Sequence, residues 1–201
     1  MRRLRPGRLV LATHNAGKLR EFAGLLAPHG MDLVSAGELS LPEPAETGTT
    51  FIENARIKAL AAMRATGLPA LADDSGVDVA ALGGAPGVYT ADWAMRPDGT
   101  RDYSGAMSRI AGLDHSARRR CSFVAVLVIA WPDGETLAFE GKCAGHWVNP
   151  PRGGQGFGYD PMFIPEGECL TFGEMTPKQK ARHSHRTRAF AALAAGCLSA
   201  G

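Results

Sequence analysis

The chain has 201 residues and a mass of 21.2 kDa, a size suited to one domain or to two lobes that share a core. Apolar residues make up 45% and charged residues 21%, which excludes a disordered chain, and no run of apolar residues is long enough to predict a membrane span. The 22 basic and 20 acidic side chains nearly balance, which argues against a nucleic-acid partner. The four cysteines form no C-x-x-C pair and indicate a reducing compartment. We therefore expect a soluble, cytoplasmic globular protein.

The first part of the chain predicts strands that alternate with helices. An apolar run over residues 9–12 predicts a buried strand that leads into a polar turn, residues 13–18. Leucine and phenylalanine then recur at helical spacing over residues 19–26, until a Pro-His-Gly sequence ends the helix. Residues 31–35 fit a second strand.

A capped helix and a third strand follow a proline-containing loop. Thr50 and Glu53 match the capping box that begins a helix, and Gly67 ends that helix. Residues 69–72 predict a short strand, with the Asp-Asp-Ser-Gly sequence of residues 73–76 at its C-terminal end.

The remainder of the chain contains the strongest hairpin signal. Residues 121–131 and 135–148 predict two strands joined by a Pro-Asp-Gly turn. Helices between strands, followed by a hairpin, indicate an α/β fold with a mixed sheet, and we expect a single domain over residues 1–201. The other predicted features are loops at residues 83–87 and 149–165, a helix over 104–111 and a last helix that Ser184 can cap.

The turn of residues 13–18 has features of a phosphate site. A helix N-terminus presents N–H groups and a partial positive charge, and Thr13, Asn15 and Lys18 add two neutral donors and a cation. The glycine pattern of a Walker loop is missing. The alternative interpretation is that Asn15 caps the helix and Lys18 lies on the surface.

Acidic residues between positions 43 and 78 suit a metal ion. Asp73 and Asp74 follow a strand, where α/β folds place ligands, and adjacent residues of an extended chain point in opposite directions. Mg²⁺ binds through one or two carboxylates together with substrate phosphates, and Glu46 could supply the second ligand. The alternative is that residues 73–76 form only a turn.

Two further segments have the composition of a binding site. Residues 153–160 mix glycines with aromatic side chains that could stack on a flat ring, unless Phe157 or Tyr159 lies in the core. Residues 178–188 contain five Lys or Arg side chains and no acid, which suits an anion or a base edge, or else a solvated helix face. A phosphate turn, a metal carboxylate, aromatic side chains and a basic segment are together the parts of a nucleoside-phosphate site.

Five blocks of sequence resemble the inosine triphosphate pyrophosphatases. They occur in the family's order and extend over nearly the whole chain: LATHNAGKLREF, ETGTTFIENARIKA, ADDSGVDVAALGGAPGVYTA, GGQGFGYDPMF and SHR. The resemblance implies an elongated mixed β-sheet flanked by helices, with two lobes and a central cleft, and a homodimer. It implies Mg²⁺-dependent hydrolysis of non-standard purine nucleoside triphosphates (ITP, dITP, XTP) to the nucleoside monophosphate and pyrophosphate, which cleanses the nucleotide pool.

The same resemblance implies roles for individual residues. Asp74 would accept a proton, with Asp73 as the reserve candidate, and Glu46 and Asp74 would ligate Mg²⁺. The substrate would be held by Thr13, His14, Asn15, Ala16, Gly17, Lys18, Lys58, Ser75, Phe157, Gly158, Tyr159, Asp160, Lys180, His185 and Arg186.

Selection of inosine or xanthosine requires recognition of a 6-oxo group. Donors such as Lys180, Arg186 and a protonated His185 would favour O6 and leave a 6-amino group facing other donors. Two other functions remain open at this point: a pyrophosphatase for pyrimidine or modified nucleotides, and a non-enzymatic nucleotide sensor or nucleic-acid-binding module.

Overall fold

A computed structural model describes residues 2–198 as an α/β protein with a six-stranded sheet. The strand order is β2-β1-β3-β4-β5-β6, and β1 is parallel to both β2 and β3 whereas β5 and β6 are antiparallel. This confirms the predicted α/β class with a mixed sheet. No helix within residues 2–198 has both the length and the apolar character needed to cross a membrane. The strands are β1 (Gly7–Leu11), β2 (Met31–Ser35), β3 (Ala70–Val79), β4 (Arg120–Ala130), β5 (Thr136–Trp147) and β6 (Phe163–Pro165), and the helices are α1 (Ala16–Leu26), α2 (Phe51–Thr66), α3 (Tyr103–Leu113), α4 (Pro177–His183) and α5 (His185–Cys197).

The chain divides into two compact units. The first comprises residues 1–74, 125–141 and 186–201, and the second comprises residues 75–124 and 142–185. The single domain over residues 1–201 that the sequence indicates stays a prediction.

The sheet of the first unit is buried on both faces. Alternate residues of β4 contribute to two different apolar clusters, because successive side chains of a strand point to opposite faces. Ala125, Leu127 and Ile129 pack with α1 and α5, while Val126 and Val128 pack with α2. This two-sided burial holds the ends of β1 and β3 in a fixed position.

The second unit has its own apolar core. It is built around aromatic rings, and Phe123 stacks on Phe163 with ring centroids 4.2 Å apart. The indole N–H of Trp147 donates to Asp114 at 2.6 Å, which satisfies the polar atom of this buried ring.

Three elements differ from the sequence prediction. The predicted strand 69–72 extends to Val79, so residues 73–76 lie inside β3 and are not a turn after it. Part of the predicted loop 149–165 forms β6, which pairs with the end of β5. The basic segment before the last helix is itself helical, since α4 begins at a capping box formed by Thr176 and Gln179.

Candidate functional site

The turn between β1 and α1 is ordered by its own side chains. Asn15 is the N-cap of α1, and its Oδ1 accepts hydrogen bonds from the N–H groups of Gly17 at 2.8 Å and Lys18 at 3.1 Å. The N–H of Asn15 donates to Oγ1 of Thr13 at 3.1 Å. Ala16 is exposed and Gly17 is half-buried. The turn therefore has a defined shape, although Asn15 itself occupies two of the N–H groups expected to contact phosphate.

Asp73 forms ion pairs with two cations in the first unit. Nζ of Lys18 lies 2.5 Å from Oδ2 of Asp73, and Nε of Arg186 lies 3.4 Å from the same oxygen. Nη1 of Arg186 also reaches Glu21 at 3.1 Å. Burial alone would raise the pKa of Asp73, but the charges of Lys18 and Arg186 outweigh it and hold that pKa well below its usual range. Asp73 is thus ionised near neutral pH, and Lys18 is not the surface lysine of the alternative interpretation.

Asp74 lies in a different environment. Lys58, on α2, places its ammonium nitrogen 2.7 Å from Oδ1 of Asp74 and 2.9 Å from Oε1 of Glu46. Burial raises the pKa of Asp74 to about 6 against the opposing charge of Lys58. The two acids keep the pKa of Lys58 above its ordinary value, although burial acts to lower it. Of the two aspartates, Asp74 is the better proton acceptor near neutral pH.

The strand period explains why the two neighbouring aspartates differ. Successive side chains in β3 point to opposite sides, so Asp73 meets α1 and α5 whereas Asp74 meets α2. The last paired residues of β1 and β3 are Leu11 and Leu71. Both aspartates therefore follow the carboxyl end of β1, where parallel strands of α/β folds place ligands.

The carboxylates of Glu46 and Asp74 are suitable ligands for a divalent cation. They converge on one ammonium group, and Oδ2 of Asp74 is a buried oxygen without a hydrogen-bond partner in the described chain. Mg²⁺ needs only one or two protein carboxylates when substrate phosphates supply other ligands. Residues 2–198 contain no group of three or more His, Cys, Asp or Glu side chains that could hold a metal by themselves. Any ion bound to Glu46 and Asp74 would therefore take its other ligands from water or from the substrate.

The second unit has a separate cluster around Asp160. Oδ2 of Asp160 accepts hydrogen bonds from the N–H of Phe157 at 2.8 Å and from the ammonium group of Lys180 at 2.7 Å. That ammonium lies 4.8 Å from the ring centre of Phe157, within the range of a cation–π contact. At Gly156, with φ of +73°, a Cβ would lie 2.0 Å from Oδ2 of Asp160, so this position requires glycine.

The aromatic residues of this loop are not equally accessible. Tyr159 is buried and its hydroxyl donates to the carbonyl oxygen of Thr90 at 2.9 Å, whereas Phe157 is half-buried. For Tyr159, the alternative of a core position is therefore correct. His185 is also buried, with its ring edge against Phe123 at 5.2 Å between centroids. Of the remaining candidates, Gly158 has a φ of +65° and Ser75 is half-buried in β3.

Two residues that contact the Asp73 and Asp74 sites are missing from the residues predicted from the sequence. Glu21 binds Arg186, and it lies three positions after Lys18 in α1, which places both on one helix face. Asn54 is buried and its Oδ1 accepts from the N–H of Gly48 at 2.8 Å, close in sequence to Glu46. Its spacing of four residues from Lys58 on α2 is the signal that could have identified it.

Comparison with known proteins identifies the family of the chain. The family model described as the Ham1 family matches residues 9–196. The chain belongs to the Ham1 family. The chain is 52% identical to a Brucella melitensis protein named dITP/XTP pyrophosphatase, over 99% of this chain and 97% of that one. A Gluconobacter oxydans protein of the same name is 56% identical over 98% of this chain and 95% of its own length.

Solved Ham1 structures have the same fold. A HAM1 protein from Coxiella burnetii superposes with a TM-score of 0.84 at 36% identity, covering 94% of this chain and 96% of that one. A Mycobacterium abscessus protein described as a nucleoside-triphosphatase / dITP/XTP pyrophosphatase gives a TM-score of 0.72 at 39% identity, covering 92% and 98%. These matches agree with the resemblance to inosine triphosphate pyrophosphatases and confirm a mixed α/β fold.

Proposed function

We propose that this Ham1-family protein hydrolyses non-standard purine nucleoside triphosphates, such as ITP, dITP and XTP, to the monophosphate and pyrophosphate. Relatives more than half identical over nearly the full chain carry the name dITP/XTP pyrophosphatase. The observation that carries the proposal is the position of Lys58, whose ammonium contacts both Asp74 and Glu46. A lysine between two acids suits a substrate that brings both phosphates and a divalent cation.

In this proposal the first unit binds the phosphates. The turn of residues 13–18 and the ammonium groups of Lys18 and Lys58 offset the negative charge that develops on the departing pyrophosphate. When bound to Glu46 and Asp74, Mg²⁺ would polarise the attacked phosphate as a Lewis acid. Water forms the new P–O bond, the bond between the α- and β-phosphates breaks, and Asp74 accepts the proton.

Asp73 has a supporting role in this scheme. Its carboxylate is already neutralised by Lys18 and Arg186, so it is a poor proton acceptor and a good positioning group for Lys18. We therefore assign the base role to Asp74 and leave Asp73 to hold the lysine.

The base and ribose are assigned to a further set of residues. Phe157 offers a half-buried ring for stacking, and Lys180 and His185 offer donors suited to a 6-oxo group. The proposed set for base and ribose is Phe157, Gly158, Tyr159, Asp160, Lys180, His185 and Arg186, in which Tyr159 acts through the loop that it anchors. The homodimer expected from the resemblance stays a prediction.

A substrate panel tests this function. Initial rates of pyrophosphate release are measured for ITP, dITP, XTP, ATP, dUTP and TTP, with Mg²⁺ and with EDTA. We expect release from the 6-oxo purine substrates about 5- to 150-fold faster than from ATP, because the donor set penalises a 6-amino group by about 1–3 kcal/mol. EDTA should abolish the release.

Other outcomes of the panel would overturn the proposal. Faster turnover of dUTP or TTP would assign the protein to pyrimidine nucleotides. Binding of a nucleotide without any release of pyrophosphate would indicate a sensor.

A further inference from the structure

The imidazole ring of His14 lies between two hydrogen-bond acceptors. Its Nε2 is 2.8 Å from the carbonyl oxygen of Leu41, and its Nδ1 is 3.2 Å from Oε1 of Glu43. A carbonyl oxygen and a carboxylate can only accept, so Nε2 donates to Leu41, and Nδ1 donates to Glu43 when the ring is protonated. His14 directly precedes Asn15, the cap of α1, so the ring is attached to an ordered turn.

The two acceptors belong to Leu41 and Glu43, which lie at the start of the segment that carries Glu46. Leu41 is fixed at its base, where its N–H donates to the carbonyl oxygen of Ala36 at 2.9 Å. From residue 42 to residue 47, the described chain makes no backbone–backbone hydrogen bond, and two of these six positions are prolines, which have no N–H. The segment is therefore held by side chains.

Three side-chain contacts hold this segment, which we call the Glu46 segment (residues 42–48). At its end the N–H of Gly48 donates to Asn54 at 2.8 Å, and in its middle Glu46 pairs with Lys58 at 2.9 Å. His14 supplies the contact at its start. Without the contacts at the two ends, only an ion pair that is partly exposed would keep Glu46 beside Asp74.

We propose that His14 is a positioning residue that fixes the Glu46 segment to the phosphate-binding turn. The role depends on the proposed function in one respect, namely that Glu46 ligates the metal. The side chain of His14 does not itself act on the reacting atoms. It restricts the conformations of Glu46 before a cation and a triphosphate bind. Less conformational entropy is therefore lost when they bind.

Hydrogen–deuterium exchange of the metal-free protein tests the contact without any activity measurement. The variants are His14→Ala, His14→Gln, which keeps a donor for the Leu41 carbonyl, and His115→Ala as a control at an exposed histidine. We expect faster exchange at Gly48, whose N–H donates to Asn54, for His14→Ala, an intermediate effect for His14→Gln and none for His115→Ala. Thermal unfolding of each variant separates this local effect from a loss of the fold. Unchanged exchange in folded His14→Ala would overturn the proposal.

Magnesium titration of the same variants tests the consequence. For His14→Ala we expect the half-saturating Mg²⁺ concentration to rise about fivefold, as loss of one hydrogen bond of average net strength predicts. A raised KM with an unchanged Mg²⁺ requirement would contradict the proposal, because it would assign His14 to phosphate binding. If the wild type shows no Mg²⁺-dependent turnover, the proposed function fails, whereas the exchange experiment still decides whether His14 holds the segment.

Discussion

Asp73 and Asp74 are adjacent in sequence, yet their carboxylates have different cationic partners. Asp73 neutralises Lys18 and Arg186, and all three side chains are largely buried. Asp74 has one cationic partner, Lys58, which Glu46 also binds. Removal of the negative charge at Asp73 therefore takes the ion-pair partner from the buried Lys18, whereas Lys58 keeps Glu46 when the charge of Asp74 is removed.

Substitution by asparagine should separate the two aspartates. We expect Asp73→Asn to lower the free energy of unfolding by about 3 kcal/mol, the cost of leaving a buried charge without its partner. Asp74→Asn should not lower it, because Lys58 keeps Glu46 as a partner and burial disfavours the charge of Asp74. Urea denaturation at neutral pH in EDTA measures both values. Equal effects would contradict the charge assignment.

The pH dependence of stability should have opposite signs at the two positions. The lowered pKa of Asp73 means that its stabilisation is present above the unfolded-state value of 3.8 and is lost as the pH falls below that value. The raised pKa of Asp74, about 6 against 3.8, means that its carboxyl group costs stability as the pH rises through this interval. Asp74→Asn should therefore gain stability relative to wild type from about pH 4 to about pH 6 in urea titrations with EDTA. A constant difference between the two proteins across that interval would contradict the pKa of Asp74.

These pairings could be predicted from the sequence only in part. The residue types and their positions at strand and helix ends indicated lysines and acids for a phosphate and metal site. The partner of each lysine could not be predicted, because Lys18 and Asp73 are 55 positions apart and meet only when β1 and β3 pair. The resemblance to a family supplied the residues, and the structure supplied the contacts.

At the scale of elements, α2 holds one half of the candidate site. The side chain of Thr50 accepts from the N–H of Glu53, and the Glu53 carboxylate accepts from the N–H groups of Thr49 and Thr50. This capping box fixes the start of the helix that carries Asn54 and Lys58. A weaker start to α2 should therefore affect both stability and the positions of these side chains.

Loss of the Thr50 cap tests this link. Thr50→Ala should lower the free energy of unfolding by about 1 kcal/mol, because the N–H of Glu53 loses its acceptor. Thr50→Ser keeps the oxygen and should stay within about 0.5 kcal/mol of wild type. Thermal or urea unfolding of the three proteins measures the difference. If serine and alanine destabilise equally, the methyl group and not the cap is responsible.

Local signals explain which elements the sequence predicts. The helices α1 and α2 have caps and apolar periodicity, and the hairpin of β4 and β5 has a turn with a defined mechanism, so all four were predicted. The length of β3 was underestimated because Asp, Ser and Gly favour turns, whereas burial and pairing of these residues in the fold keep them extended. The short helix α4 begins at a Thr-Pro-x-Gln sequence, which is a recognisable capping signal, but its seven residues are too few to show helical periodicity.

At the scale of the whole molecule, several observations agree on the family of the chain. Five sequence blocks, a family model over residues 9–196 and solved structures with TM-scores up to 0.84 identify one family. Each unit then holds its own charged cluster, around Asp74 in the first and around Asp160 in the second. The composition of the chain predicts neither the family nor the two charged clusters, because most globular proteins share a similar composition.

The most direct test of the central claim is the turnover of ITP at saturating Mg²⁺ by Asp74→Asn, with Asp32→Asn as the control. Asp32 is in the first unit, and its side chain is 77% exposed. We expect Asp74→Asn to keep the fold and to lose at least about two orders of magnitude in kcat, the contribution of a positioned general base, while Asp32→Asn retains wild-type turnover. Near-normal pyrophosphate release by folded Asp74→Asn would contradict the account.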